Sequence, residues 1–105
     1  MTRTVIAGFA RTPFGRFGGA LKEFSAVELG ALVAREALER ARVAPEDVSE
    51  TYFGSAVLAA STLVAARQIN IKAGLPASTP SLTVDRACCS SMTAVGLASL
   101  RIRAG

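Results

Sequence analysis

The chain has 105 residues and a formal net charge of +4, from 12 lysine and arginine residues against 8 aspartate and glutamate residues, and it contains no histidine. A chain of this length forms at most one domain. Because it lacks histidine, it cannot supply by itself a Cys–His pair, a Ser–His–Asp triad or a His-ligated metal site. Its basic residues are not interleaved with aromatic residues in one run, so nucleic-acid binding is not expected.

The uncharged stretches bear on the membrane question. They cover residues 51–66 and 87–100, and both are shorter than the ~20 residues that span a bilayer. The first 22 residues carry basic side chains and no acid, as transit peptides do, but residues 4–10 (TVIAGFA) favour a strand instead. The only cysteines, Cys88 and Cys89, are adjacent and do not predict a disulfide framework. We therefore expect a cytoplasmic, reduced protein without a membrane span.

The hydrophobic pattern predicts three strands, over residues 5–10, 51–54 and 81–84. Each segment is short and apolar, and β-branched or aromatic residues are common in it. A helix is predicted after each strand, so the order is βαβαβα. Alternation of this kind predicts an α/β fold with parallel strands joined by right-handed crossovers.

The three helices are predicted over residues 26–41, over residues 63–73, and from Cys88 or Cys89 to Ala104. Ser25 and Glu28 have the spacing of a capping box at the start of the first helix. Gly74 stands where the second helix should end.

The third helix has no charged residue before Arg101. A helix without a charged face is normally buried on all sides. One sheet and two helices can cover only one side of it. The sequence therefore predicts that more protein, either a continuation of the chain or a partner subunit, covers the other side, and that the chain alone exposes apolar surface there.

A glycine-rich loop follows the first predicted strand and contains Gly15, Gly18 and Gly19. A phosphate site is one interpretation of such a loop. However, the spacing differs from G-x-G-x-x-G and no G-K-[ST] follows, so we favour a structural loop.

Residues 85–91 (DRACCSS) lie between a predicted strand and the third helix. The unpaired N–H groups and the dipole at a helix start stabilise a thiolate by ~0.3–2 kcal/mol. One of the two cysteines is therefore a candidate nucleophile, although its base has to come from outside this chain. The alternatives are a buried structural cysteine and a strained vicinal disulfide. Two sulfurs without a further ligand make a poor zinc site.

Three segments resemble motifs of the thiolase family, in the family's order. Residues 11–19 (RTPFGRFGG) resemble its R-T-P-x-G-x-F-x-G opening. Residues 66–68 (ARQ) and 73–76 (AGLP) resemble its A-R-Q and A-G-L/I-P segment. Residues 83–92 (TVDRACCSSM) resemble T-V-N-x-x-C-x-S-G-[LM]. The resemblance extends over essentially the whole chain.

The resemblance implies a fold and an activity. Residues 1–105 would form the first part of a thiolase N-terminal domain, a βαβαβα portion with a mostly parallel sheet and a buried Cys-bearing helix. The family's motif places the nucleophile at Cys88, which would carry the acyl group, while its backbone N–H helps to bind the thioester oxygen. Acyl-CoA and coenzyme A would be substrates, with no cofactor or metal. The family's histidine and second cysteine lie downstream, and the family usually forms dimers or tetramers.

The chain also departs from the family pattern. Asp85 stands where asparagine is usual, Ser91 where glycine is usual, and residues 63–66 (LVAA) replace a Q-N-P-A run. The side chain of Ser91 is expected to crowd an acyl group at the helix start. These changes keep a second hypothesis open, a non-catalytic scaffold subunit. A third is another condensing enzyme of the superfamily, such as a ketoacyl or HMG-CoA synthase, which the R-T-P and A-R-Q segments disfavour.

Overall fold

A computed structural model of the protein describes residues 2–57 and 64–105. The regular elements within these ranges follow one another as helices and short strands. They are α1 (Ala26–Ala41), a 3₁₀ turn (Pro45–Asp47), β1 (Thr51–Gly54), α2 (Ala65–Ala73), β2 (Ser81–Val84) and α3 (Ser90–Ala104). The bounds of α1, β1 and β2 are those that the sequence predicts.

The two strands form a parallel sheet. Thr51 pairs with Ser81 at one end, and Gly54 pairs with Val84 at the other. Helix α2 connects the strands, so the βαβ unit expected from the sequence is present and the α/β class is confirmed. Because the strands are parallel, their carboxyl ends lie at the same edge of the sheet.

The capping box predicted for α1 is confirmed. The Ser25 hydroxyl accepts the backbone N–H of Glu28 at 3.1 Å, and the Glu28 carboxylate accepts the backbone N–H of Ser25 at 2.7 Å. These bonds satisfy two N–H groups that a helix start otherwise leaves unpaired. The apolar face of α1 then packs on α2, with Val27 against Ile69 and Ala31 against Ala73.

Helix α2 is fixed to the sheet by polar side chains. Its Ala66 N–H donates to the Thr83 hydroxyl of β2 at 3.0 Å. Its Asn70 is only 1% exposed, and the Asn70 amide oxygen accepts the Thr51 hydroxyl of β1 at 2.7 Å. The helix ends at Gly74, whose φ of 87° is left-handed, as predicted for this glycine. The predicted start at Leu63 lies outside the described residues.

The strand predicted over residues 5–10 is wrong for this structure, which has no regular element there. A strand exists through ladder hydrogen bonds to a neighbour, whereas this segment is attached by other contacts. The Arg40 side chain donates to the Phe9 carbonyl at 3.1 Å, and a Cβ on Gly8 would lie 3.0 Å from the Cβ of Ala41, so the segment lies against α1. The apolar side chains of Val5 and Ile6 remain exposed.

Helix α3 is covered on one side only. Ser90 and Ala94 are buried, whereas the apolar side chains on the rest of its surface are exposed; they are Met92, Val95, Leu100 and Ile102. The absence of charged residues before Arg101 predicts this uncovered apolar face. The helix is therefore not buried on all sides in this chain. In the described ranges, we find no helix long and apolar enough to cross a membrane.

Candidate active site

The two cysteines lie in a turn between β2 and α3. Val84 ends β2, and α3 begins at Ser90. Cys88 and Cys89 therefore precede the helix, and the predicted start of α3 at Cys88 or Cys89 is one or two residues too early. The reason is in the turn itself, where the Cys89 N–H donates to the Arg86 carbonyl at 3.1 Å and the Ser90 N–H donates to the Ala87 carbonyl at 3.2 Å.

The turn contains a left-handed alanine. Ala87 has a φ of 51°, which is unfavourable for a residue with a Cβ. The Ala87 backbone N–H donates to the Asp85 carboxylate at 3.0 Å. This bond fixes the chain direction immediately before Cys88.

Ser90 closes the turn from the other side. Its hydroxyl accepts the Arg86 backbone N–H at 2.8 Å and donates to the Ala87 carbonyl at 2.7 Å. The side chain is buried, with 4% of the residue exposed. Since one hydroxyl bonds to the peptide group before Arg86 and to the peptide group after Ala87, it holds both residues in a single conformation.

Both thiols are free and exposed. Within the described residues neither thiol is buried, as a structural cysteine would be, and no vicinal disulfide joins them. Cys88 lies two residues before the first residue of α3, and Cys89 is its N-cap residue without a side-chain capping bond. Both cysteines therefore lie at the amino end of α3, where the helix dipole is positive.

The start of α3 packs closely on the end of β1. A Cβ added to Gly54 would lie 2.5 Å from the Ser90 carbonyl carbon and 2.6 Å from the Ser91 Cα. Only a residue without a side chain allows this approach. Gly54 therefore lets the sheet support the turn that carries the cysteines. Ser91 is exposed in the first turn of α3.

Chemical groups beside the cysteines are few. The Arg86 guanidinium donates to the Thr93 hydroxyl at 3.3 Å. Across the two described ranges, no cluster of three or more His, Cys, Asp or Glu side chains could hold a metal ion. The chain has no histidine, so it does not itself supply either cysteine thiol with the base that most often activates a cysteine.

A second polar cluster lies at the opposite end of α3. Arg101 donates to the Glu50 carboxylate at 2.9 Å, and the Tyr52 hydroxyl donates to the other oxygen of the same carboxylate. The Tyr52 bond, and then the Arg101 bond, hold the pKa of Glu50 below its ordinary value. The same bond to Glu50 raises the pKa of Tyr52. The three side chains line a groove of about 490 Å³.

Sequence reasoning singled out Cys88, Cys89, Asp85 and Ser91 but not the roles of Ser90 and Asn70. For Ser90, the one available signal was a small hydroxyl residue at a helix start. For Asn70, the sequence offers no signal, because a polar residue within a helix is most often exposed.

Comparison with known proteins adds the context of the site. The family model described as the thiolase N-terminal domain matches residues 4–105. An acetyl-CoA acetyltransferase of Cupriavidus necator is 50% identical over 105 residues, which are 100% of this chain and 27% of that protein. One from Yarrowia lipolytica is 42% identical over 95% of this chain and 25% of its own length. The chain thus spans about a quarter of the length of these curated relatives.

Solved structures agree with the sequence comparison. The Acat5 thiolase of Ascaris suum, in complex with coenzyme A, superposes with a TM-score of 0.89 at 36% identity, over 95% of this chain and 26% of that one. Human mitochondrial 3-ketoacyl-CoA thiolase, also in complex with coenzyme A, gives a TM-score of 0.85 at 36% identity, over 91% of this chain and 25% of its own. By the sequence match over residues 4–105 and by the shared fold, the chain belongs to the thiolase family.

Proposed function

We propose that this chain supplies the nucleophile of a thiolase-type acyl-CoA acyltransferase. The observation that carries the proposal is the exposed, free Cys88 in the turn before α3, which is held by the Ser90 hydroxyl. The chain is also 50% identical to an acetyl-CoA acetyltransferase. Cys88 rather than Cys89 is proposed because it stands three residues after the asparagine position of the family motif and two before the serine.

The proposed reaction has two steps. The Cys88 thiolate attacks the carbonyl carbon of an acyl-CoA thioester, the C–S bond to coenzyme A breaks, and the coenzyme A thiolate leaves and takes up a proton. The acyl group then passes from Cys88 to a second acceptor. This acceptor is coenzyme A in thioester exchange, and in a condensation it is the α-carbon of another acyl-CoA, which loses a proton. In thiolytic cleavage Cys88 attacks the 3-keto carbon of a 3-ketoacyl-CoA instead, the C2–C3 bond breaks, and C2 takes up a proton as acetyl-CoA leaves. The acyl group then passes from Cys88 to coenzyme A. Coenzyme A thioesters are the substrates here, and no resident cofactor is required.

The backbone contributes charge stabilisation in this proposal. The Cys88 N–H belongs to the proposed site for the oxyanion that forms when the thioester carbonyl is attacked. The α3 dipole acts in the same direction, because it favours negative charge at its amino end. A turn held by Asp85 and Ser90 keeps these groups in place before substrate arrives.

We propose that activity requires protein beyond these residues. The chain has no histidine to serve as the base for Cys88, and the apolar face of α3 is uncovered, with Met92 78% exposed. A downstream part or a partner subunit would supply a histidine, a second cysteine as acid and base, and the cover for α3. A homodimer or homotetramer is proposed on the family resemblance.

The test is turnover of the full-length protein with acetyl-CoA and acetoacetyl-CoA, comparing the parent with Cys88→Ala and Cys89→Ala. We expect Cys88→Ala to abolish turnover and the adjacent Cys89→Ala to retain most of it. An inactive parent that also forms no acyl adduct would favour the scaffold hypothesis, which the replacements Asp85 and Ser91 motivate. Loss of turnover in Cys89→Ala but not in Cys88→Ala would show that Cys88 is not the nucleophile.

A further inference from the structure

We infer that Asp85 is a positioning residue for the Cys88 nucleophile, acting through the left-handed conformation of Ala87. This inference rests on the proposed function, because it assigns a role in placing the reacting sulfur. Neither the family match nor the relatives' names assign any role to this carboxylate.

The backbone of the turn adopts an unusual conformation at one residue. Three non-glycine residues in the described ranges have a left-handed φ, namely Arg42, Val57 and Ala87. Arg42 ends α1, whereas Ala87 immediately precedes Cys88. A left-handed alanine persists only where the surrounding contacts over-determine it. Whatever holds Ala87 therefore decides where the Cys88 sulfur points.

The Asp85 carboxylate bonds to the backbone of this turn. It accepts the Ala87 backbone N–H at 3.0 Å. The two ion pairs found among the described residues are Glu36–Arg40 and Glu50–Arg101, so Asp85 takes part in neither. Its described contact is thus local, and it acts on the peptide group that links Arg86 to Ala87.

The Ser90 hydroxyl holds the same turn from the helix side. The Ser90 hydroxyl holds the Arg86 N–H and the Ala87 carbonyl, and Asp85 holds the Ala87 N–H. Neighbouring peptide groups are therefore fixed on both sides of the left-handed residue. Removing the Asp85 bond frees one of them and lets Ala87 relax toward the ordinary backbone regions, which displaces Cys88. A small displacement of a nucleophile lowers the chemical rate more than it lowers ground-state binding.

The chemistry of the bond predicts which substitutions are tolerated. An asparagine at position 85 keeps a carbonyl oxygen for the Ala87 N–H and removes the charge. An alanine removes the acceptor. A glycine at position 87 adopts a positive φ at no steric cost, so it compensates for the missing acceptor.

The experiment measures kcat and KM for acetyl-CoA in the full-length protein, with the variants Asp85→Asn, Asp85→Ala, Ala87→Gly and the double variant Asp85→Ala/Ala87→Gly. We expect Asp85→Asn to stay within about twofold of the parent, and Asp85→Ala to lower kcat about tenfold with little change in KM. The double variant should recover most of that loss. If Asp85 only stabilised another part of the fold, a glycine at position 87 would not restore kcat.

The outcomes separate this inference from the proposed function. An active parent with an inactive Cys88→Ala variant supports the proposed function independently of Asp85. Parent-like kcat in Asp85→Ala overturns the positioning role, and so does a double variant no better than Asp85→Ala. If Asp85→Ala fails to fold, the double variant decides, since a folded and active one supports the role and a folded but impaired one overturns it.

Discussion

A Cβ on Gly54 would lie 2.6 Å from the Cα of Ser91. The end of β1 and the first turn of α3 are thus in direct backbone contact, without an intervening side chain. The turn that carries Cys88 leads directly into this contact. Its position is consequently set by the sheet on one side and by the bonds of Asp85 and Ser90 on the other.

The first prediction concerns this contact. Gly54→Ala forces α3 away from β1, and we expect a loss of about 1–3 kcal/mol in unfolding free energy, as for an overpacked core site. Acyl transfer should fall as well, because the turn moves with the helix. Thermal unfolding and kcat of the full-length protein check both effects.

Gly96→Ala is the matched control for Gly54→Ala. Apart from the chain neighbours of Gly96 and the backbone of its own helix, no atom of the described residues lies within 4 Å of an added Cβ at this position. Alanine is also favoured over glycine inside a helix by about 0.5–1 kcal/mol. We expect equal or higher stability. Equal effects of the two substitutions would show that close packing at Gly54 is not the cause.

The second prediction concerns the buried amide of α2. Asn70→Leu removes the amide acceptor 2.7 Å from the Thr51 hydroxyl, which keeps only the longer 3.5 Å contact to the Pro80 carbonyl. It also frees the Thr79 carbonyl, which accepts from the Asn70 amide at 3.3 Å. An unsatisfied buried polar group costs about 1–3 kcal/mol. We therefore expect a lower denaturant midpoint for Asn70→Leu.

A double-mutant cycle with Thr51→Val isolates the pair. If the hydroxyl–amide bond is the main interaction, the double variant loses less stability than the sum of the two single variants. Simple additivity would mean that Asn70 stabilises the fold by packing alone.

The third prediction is a pH dependence at the far end of α3. The bond from Tyr52, followed by that from Arg101, lowers the pKa of Glu50 below its ordinary 4.5. A lowered folded pKa contributes stability that is present above pH 4.5 and is lost as the pH falls through the folded value. Tyr52, whose pKa is raised above 10.0, contributes stability that is present below pH 10.0 and is lost as the pH rises through its folded value.

Tyr52→Phe tests this coupling. The substitution removes the donor with the largest effect, so the pKa of Glu50 should move up toward its ordinary value. An NMR titration of the Glu50 side-chain carboxyl measures the change. Arg101→Gln should move the same pKa in the same direction, because it removes the positively charged donor. An unchanged titration in Tyr52→Phe would contradict the assigned cause.

Whether an element could be predicted from the sequence depends on how far apart in the chain its interacting residues are. The bounds of α1 follow from neighbours in sequence, since Ser25 and Glu28 cap the helix themselves. The prediction of a strand over residues 5–10 was wrong because a strand also needs a neighbouring strand to pair with. The apolar residues of a segment do not indicate whether such a neighbour is present. The β1 and β2 strands were predicted correctly, and each has the other as its partner.

One part of the candidate site could be predicted from the sequence and another part could not. A cysteine near a helix start was predictable from spacing, and the family motif selects Cys88. The left-handed Ala87 was not predictable, because alanine ordinarily avoids positive φ and the bonds from Asp85 and Ser90 exist only once the turn has formed. The Gly54 contact was likewise hidden, since it joins two segments that are distant in sequence.

The most direct test of the central claim is to locate the acyl group itself. The full-length protein is mixed with acetyl-CoA, quenched in acid and digested, and the peptide that contains Cys88 and Cys89 is sequenced by mass spectrometry. The account predicts one acetyl group on Cys88, which persists in Cys89→Ala and is absent in Cys88→Ala. An acetyl group on Cys89, or none on either cysteine in a protein that turns over acetyl-CoA, would contradict it.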